Sequence, residues 1–139
     1  MVGADGAAAG VPTAGTMVPH FTVTTSDGET AAYAQLWQRT QLLLVILCES
    51  QVGPWADFFQ DLRAAEAQFG DLETAVVVTA QPVWGASRSS VCVADRWGEV
   101  THAAELILGE ARVEPGLATL LLWAEATLHR CPECEGEAR

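Results

Sequence analysis

Lysine and asparagine are absent from the 139 residues, and tyrosine occurs once. All seven basic residues are therefore arginine, set against eighteen acidic ones, for a formal net charge of -11. So negative a chain repels phosphate backbones and anionic headgroups, so nucleic acid and charged membrane surfaces are not expected partners. The same charge favours basic partners and says nothing about fold. Long apolar runs are missing as well. The longest, Leu42 to Cys48, is seven residues, against roughly 20 for a helix crossing a bilayer, so no membrane insertion is expected. Met1 to Met17 has neither a positive charge nor an apolar h-region, so no secretory signal is read there and a cytoplasmic protein is the expectation. Cysteine is scarce. Cys48 and Cys92 sit inside apolar runs, and Cys131 and Cys134 form one C-x-x-C, which is no disulfide framework.

What is present can build a core. Half of the residues are hydrophobic, which excludes disorder for most of the chain and suits one domain. Residues 1–16 are Gly, Ala, Thr and Pro with a single Asp, without periodicity, and read as a flexible tail. Residues 17–130 carry the patterned sequence. Residues 131–139 form an acidic tail around the Cys-x-x-Cys pair.

Within the patterned part, His20 to Thr24 alternates as a half-buried strand, and Ser26-Asp27-Gly28-Glu29 closes it as a turn. Tyr33 to Arg39 reads as a connector. Leu42 to Cys48 is continuously apolar, as in a strand buried on both faces. A helix is predicted from Pro54 or Trp55, because Phe58, Leu62, Ala65 and Phe69 share one face, with Gly70 as its C-cap. Ala75 to Thr79 is a second buried strand. A strand, a helix and a strand at this spacing form a βαβ unit, so the two strands should be parallel. After a loop over Gln81 to Ser89 come a strand at Ser90 to Ala94, a turn at Asp95 to Gly98 and a returning strand at Glu99 to Ala103. Glu105 to Gly116 shows no consistent period. A last helix runs from about Pro115 to Leu128, with Leu117, Leu120, Leu121, Ala124 and Leu128 on one stripe.

This order of elements resembles the thioredoxin-like fold, an α/β architecture with a central mixed sheet flanked by helices. Specific residues carry the resemblance further. Val18-Pro19-His20-Phe21-Thr22-Val23 followed by Asp27-Gly28-Glu29 is similar to the opening of redoxins, the group of alkyl hydroperoxide reductase-type peroxiredoxins and thioredoxin-like reductases. Leu42 to Leu47 resembles their central strand, and Val91 to Val100 their late hairpin. In thioredoxins the loop after the central strand is Cys-Gly-Pro-Cys. Here it is Val52-Gly53-Pro54-Trp55. The family chemistry needs a thiolate stabilised at a helix N-terminus, and Val52 and Trp55 supply no thiol. Cys48 lacks the Thr or Ser and Pro that precede a peroxiredoxin cysteine. Where thioredoxins place a cis-proline before the third strand, this chain has Ser89 or Ser90, preceded by Arg88. A peroxiredoxin uses an Arg near there to steady its thiolate; without the cysteine, Arg88 reads as a surface residue.

Three readings compete for Cys131-Pro132-Glu133-Cys134. As a redox pair it would form a disulfide, but it follows the end of a helix and has Glu133 within it and Glu135 after it, and both the helix end and these carboxylates disfavour a thiolate. As half of a zinc knuckle, Cys131 and Cys134 with His129 as a third ligand would need a second subunit or a partner to complete four ligands. As a plain reduced tail it would do neither. Cys48 and Cys92 read as small hydrophobes in strands, and His20 and His102 as structural or exposed. Trp55, Trp84 and Trp97 fall in loops or at a helix start, near the edge where the family site would lie. Core packing is the plain account of them; an aromatic contact surface is the sharper one.

The sequence thus reads as a redoxin-type domain without its usual active-site cysteines, a non-catalytic protein-binding module or accessory subunit. The alternative is a thiol–disulfide oxidoreductase working through Cys131 and Cys134. No cofactor is expected unless zinc binds the C-terminal pair. A protein partner or complex is expected, with a homodimer as one form of it.

Overall fold

The computed structural model of the chain describes residues 12–49, 52–85 and 87–130. Its centre is a four-stranded mixed sheet in the order β4-β3-β5-β6, built from β3 (Gln41–Ile46), β4 (Thr74–Thr79), β5 (Ser90–Ala94) and β6 (Val100–Glu105). β3 and β4 are parallel with Leu43 opposite Val76; β5 runs antiparallel to both β3 and β6. The crossover between the parallel pair is helical, as their shared direction requires. A small hairpin of β1 (Thr22–Thr24) and β2 (Thr30–Ala32) precedes the sheet, and another, β7 (Ile107–Leu108) with β8 (Val113–Glu114), follows it.

β3 shows why a continuous apolar run marks the middle of a covered sheet. Successive side chains point to opposite faces. Leu43, Val45 and Leu47 enter one core with Phe58 and Leu62 of helix α1 (Pro54–Ala64), Phe69 of α2 (Glu66–Asp71) and Leu120 and Ala124 of α3 (Leu117–Leu128). Leu42, Leu44 and Ile46 enter a second core with Val18, Phe21, Val23 and Tyr33. The helices therefore lie against one face, and the N-terminal segment with its hairpin closes the other. Buried polar groups cross-tie the layers. The Gln41 side-chain amide donates to the Ala124 carbonyl and to the Thr74 hydroxyl, each at 3.1 Å, satisfying a side chain that would be costly to bury unpaired.

Several boundaries differ from the sequence expectation. The helix expected to run to a Gly70 cap is two helices broken at Ala65, and Gly70 lies inside the second. The Phe58-Leu62-Ala65-Phe69 face survives because Ala65 is itself buried at the break. The Gly15 amide donates to the Val100 carbonyl and the Val100 amide to the Thr16 carbonyl, at 2.8 and 2.9 Å. The packed chain therefore reaches back past Val18, into the stretch expected to be tail; residues 1–11 lie outside the described residues. β2 has no counterpart in the sequence reading, and the unassigned segment after Glu105 forms the β7–β8 hairpin. No helix among the described residues is long and apolar enough to cross a membrane.

Candidate functional site

The end of β3 is held from two sides. The Leu47 amide donates to the Thr79 carbonyl at 2.8 Å, continuing the ladder to β4. One residue on, the Cys48 amide donates to the Ser89 Oγ at 2.8 Å. Ser89 is buried, and its carbonyl accepts from the Leu106 amide at 2.9 Å. Ser89 thus stands beside the end of the central strand. The adjacent Ser90 hydroxyl is buried without a hydrogen-bond partner among the described residues.

The chain then turns into α1. Gly53 is its N-cap residue, at φ 57° and ψ −133°, a conformation that glycine adopts without the clash a β-carbon would bring. Pro54 fills the first helical position, where no amide hydrogen is needed. The Trp55 amide donates to the Val52 carbonyl at 3.2 Å, and the Asp57 amide to that of Gly53 at 3.1 Å. Val52-Gly53-Pro54-Trp55 is therefore the loop and first turn of the helix after the central strand, as expected. Such a helix start carries partial positive charge that would favour a thiolate. What it presents is Val52, 67% exposed, and Trp55, half-buried against the helical core. Neither side chain can attack a disulfide or a peroxide.

The thiols and imidazoles among the described residues are dispersed. Cys48 is exposed at the end of β3, contrary to its expected role as a small core hydrophobe; its position one residue past the buried Leu47 lifts it out of the sheet. Cys92 is fully buried opposite Leu44, and burial pushes its thiol up to about 12, so it remains protonated and inert. His20 meets the Trp37 ring edge-on at 5.1 Å, and His102 stacks on Trp123 at 5.3 Å. His129 is the exposed C-cap residue of α3. Cys131 and Cys134 lie outside the described residues. Among the described residues, no three His, Cys, Asp or Glu side chains are grouped to hold a metal. Arg88 is exposed and pairs with Glu105 at 3.3 Å.

The tryptophans do not form one surface. Ile46 pairs with Ser90 and Leu42 with Ala94, so the Asp95–Gly98 turn lies at the opposite end of the sheet from Val52. Trp97, placed by the sequence reading near the family site, stands at that far end, where its carbonyl accepts from the Trp37 indole at 3.1 Å. Trp84 is half-buried against the second core. Past β6 the chain leaves Ile107 and Leu108 58% and 47% exposed. Sequence reasoning missed them; the signal available was Ile-Leu-Gly-Glu before Val113, an apolar pair running into a turn glycine.

No family model matches the chain, and no curated protein matches it in sequence. Solved structures do resemble it. The reduced 2-Cys peroxiredoxin of Plasmodium vivax is 14% identical at a TM-score of 0.65, covering 85% of this chain and 83% of that one. A thiol:disulfide interchange protein of the thioredoxin family from Chlorobium tepidum is 15% identical at 0.58, covering 84% and 98%. A putative protein disulfide isomerase from Bacteroides thetaiotaomicron is 14% identical at 0.57, covering 91% and 97%. The likeness establishes the thioredoxin-like fold expected from the order of elements, and the fold alone.

Proposed function

We propose that this chain, thioredoxin-like in fold, is a redoxin-type protein that has lost the usual cysteines and acts as a non-catalytic binding module or accessory subunit for another protein. The observation that carries this reading is the occupancy of the helix start after β3. Gly53 and Pro54 keep the turn and the first helical residue, while Val52 and Trp55 stand at the two positions that would need sulfur. Thiol–disulfide exchange begins with attack by a thiolate and ends with a second thiol displacing it; this loop provides neither. An exposed valine beside a helix N-terminus is instead a small apolar contact.

The test is turnover. With dithiothreitol as reductant, the purified chain should reduce insulin disulfides no faster than free cysteine at equal thiol concentration, and should not consume hydrogen peroxide catalytically. Reduction that persists in the Cys131→Ser/Cys134→Ser variant would overturn the reading. Reduction that disappears in that variant would move the activity to the C-terminal pair and make the chain an oxidoreductase.

A further inference from the structure

Beside the Val52–Trp55 turn, α1 and the β7–β8 hairpin border an open groove of about 1120 Å³, lined also by Phe58 and the start of α3. Its walls are strongly one-sided in charge. Asp57 and Asp61 lie on α1 and Glu114 on β8, with Glu105 at the end of β6 paired to Arg88 at 3.3 Å, and the lining holds one cation, Arg112. Asp57, Asp61 and Glu114 make no ion pair among the described residues. Ile107 lines the same groove and is 58% exposed, an apolar side chain that folding leaves uncovered. A metal ion would want carboxylates converging on one point, and no such group of three exists among the described residues. Spread carboxylates flanking an aliphatic side chain suit an elongated ligand with separated positive charges and an apolar residue between them. A second copy of so acidic a chain would bring like charge to like charge.

We propose that this groove receives an extended segment of a partner protein in which Arg or Lys side chains flank an aliphatic one. The cationic side chains meet Asp57 and Asp61 on one wall and Glu114 on the other, and the aliphatic residue covers Ile107. The net charge of the chain draws such a segment in, while the groove fixes where it lies. This rests on the reading of the chain as a binding module and names the chemistry of what it binds.

The experiment uses the full chain and two fluorescein-labelled decapeptides, one alternating Arg and Leu and the other Glu and Leu, followed by fluorescence anisotropy at low and high salt. The Arg-Leu peptide should bind saturably at one site, weaken as salt rises, and outcompete the Glu-Leu peptide. Asp61→Lys/Glu114→Lys, one exposed position from each wall, should weaken it by about tenfold or more, and Ile107→Ser by about tenfold. Asp71→Lys/Glu125→Lys makes the same change in net charge on exposed positions of α2 and α3 away from the groove, and should leave affinity within about twofold. Equal losses from the two charge-reversed pairs, an unaffected Ile107→Ser, or no saturable binding would each overturn the proposal. Circular dichroism of each variant separates lost binding from lost fold. Groove binding by a protein that also reduces insulin would refute the non-catalytic reading and leave the groove standing.

Discussion

The Cys48 amide donates to the Ser89 hydroxyl at 2.8 Å across 41 positions of chain. This bond ties the last residue of the central strand's exit to the residue that leads into β5. The Ser89 carbonyl, bonded to the Leu106 amide, extends the tie to the segment after β6. Three connections that the sequence leaves far apart are thereby fastened beside the Val52–Trp55 turn.

Ser89→Ala removes the acceptor and leaves the Cys48 amide without it. Ser89 is buried, so water replaces the hydroxyl poorly, and the expected loss is about 1 kcal/mol of folding stability. Urea denaturation checks this. A midpoint unchanged with unchanged slope would mean the bond contributes nothing.

Placing sulfur at the turn should introduce chemistry. In Val52→Cys/Trp55→Cys the backbone of Gly53 and Pro54 already sets the helix start, and its partial charge should favour the thiolate of the first cysteine. The double variant should reduce insulin with dithiothreitol at a rate clearly above the parent chain, and Val52→Cys alone should not sustain turnover. Trp55 packs against the helical core, so its loss should also cost stability, seen as a lower melting temperature. A double variant that folds and shows no gain would mean that the helix start lacks the geometry to activate a thiol.

His102 gives the fold a pH dependence near neutrality. Burial, with the positive charge of Arg130 as the lesser cause, holds its imidazole below the usual value of 6.5. The unfolded chain therefore takes up the proton more readily than the folded one. Stability associated with neutral His102 is intact above the unfolded value and falls as pH drops through it toward the folded value. His102→Gln removes this term. Between about pH 7 and about pH 5 the parent should lose stability relative to the variant, measured as paired urea midpoints. A stability difference constant over that interval would refute the assignment.

The central strand was legible because burial on both faces removes alternation: Leu42 to Leu47 can be read only as a covered strand or a buried helix, and its length decides. The turn at Gly53-Pro54 was legible because both residues are restricted by backbone geometry. The break at Ala65 was hidden because the apolar face continues through it. Thr30–Ala32 has no alternating pattern to betray a strand whose pairing comes from the hairpin. The pole at which Trp97 lies depends on strand direction and register, which its own neighbours do not encode. Exposure of Ile107 is likewise a property of the assembled groove.

The four cysteines should divide by environment when titrated with a thiol reagent at neutral pH. Cys48 is exposed and should react in the native protein; Cys92, buried with its thiol pushed up to about 12, should react only after denaturation. Cys131 and Cys134 follow α3, whose Leu120 and Ala124 are buried while its C-cap His129 is exposed. The sequence after Arg130 is acidic and polar, so both thiols are expected to react without denaturant. If they become reactive only after chelation, zinc holds them, and the protein should carry roughly half an equivalent per chain, since two thiolates supply half of a four-ligand site. If they become reactive only after reduction, they form a disulfide, and its rapid return on removal of the reductant would mark an exchange-active pair. Native reactivity of Cys48, Cys131 and Cys134 together, with Cys92 silent, is the outcome expected of a chain that binds without thiol chemistry.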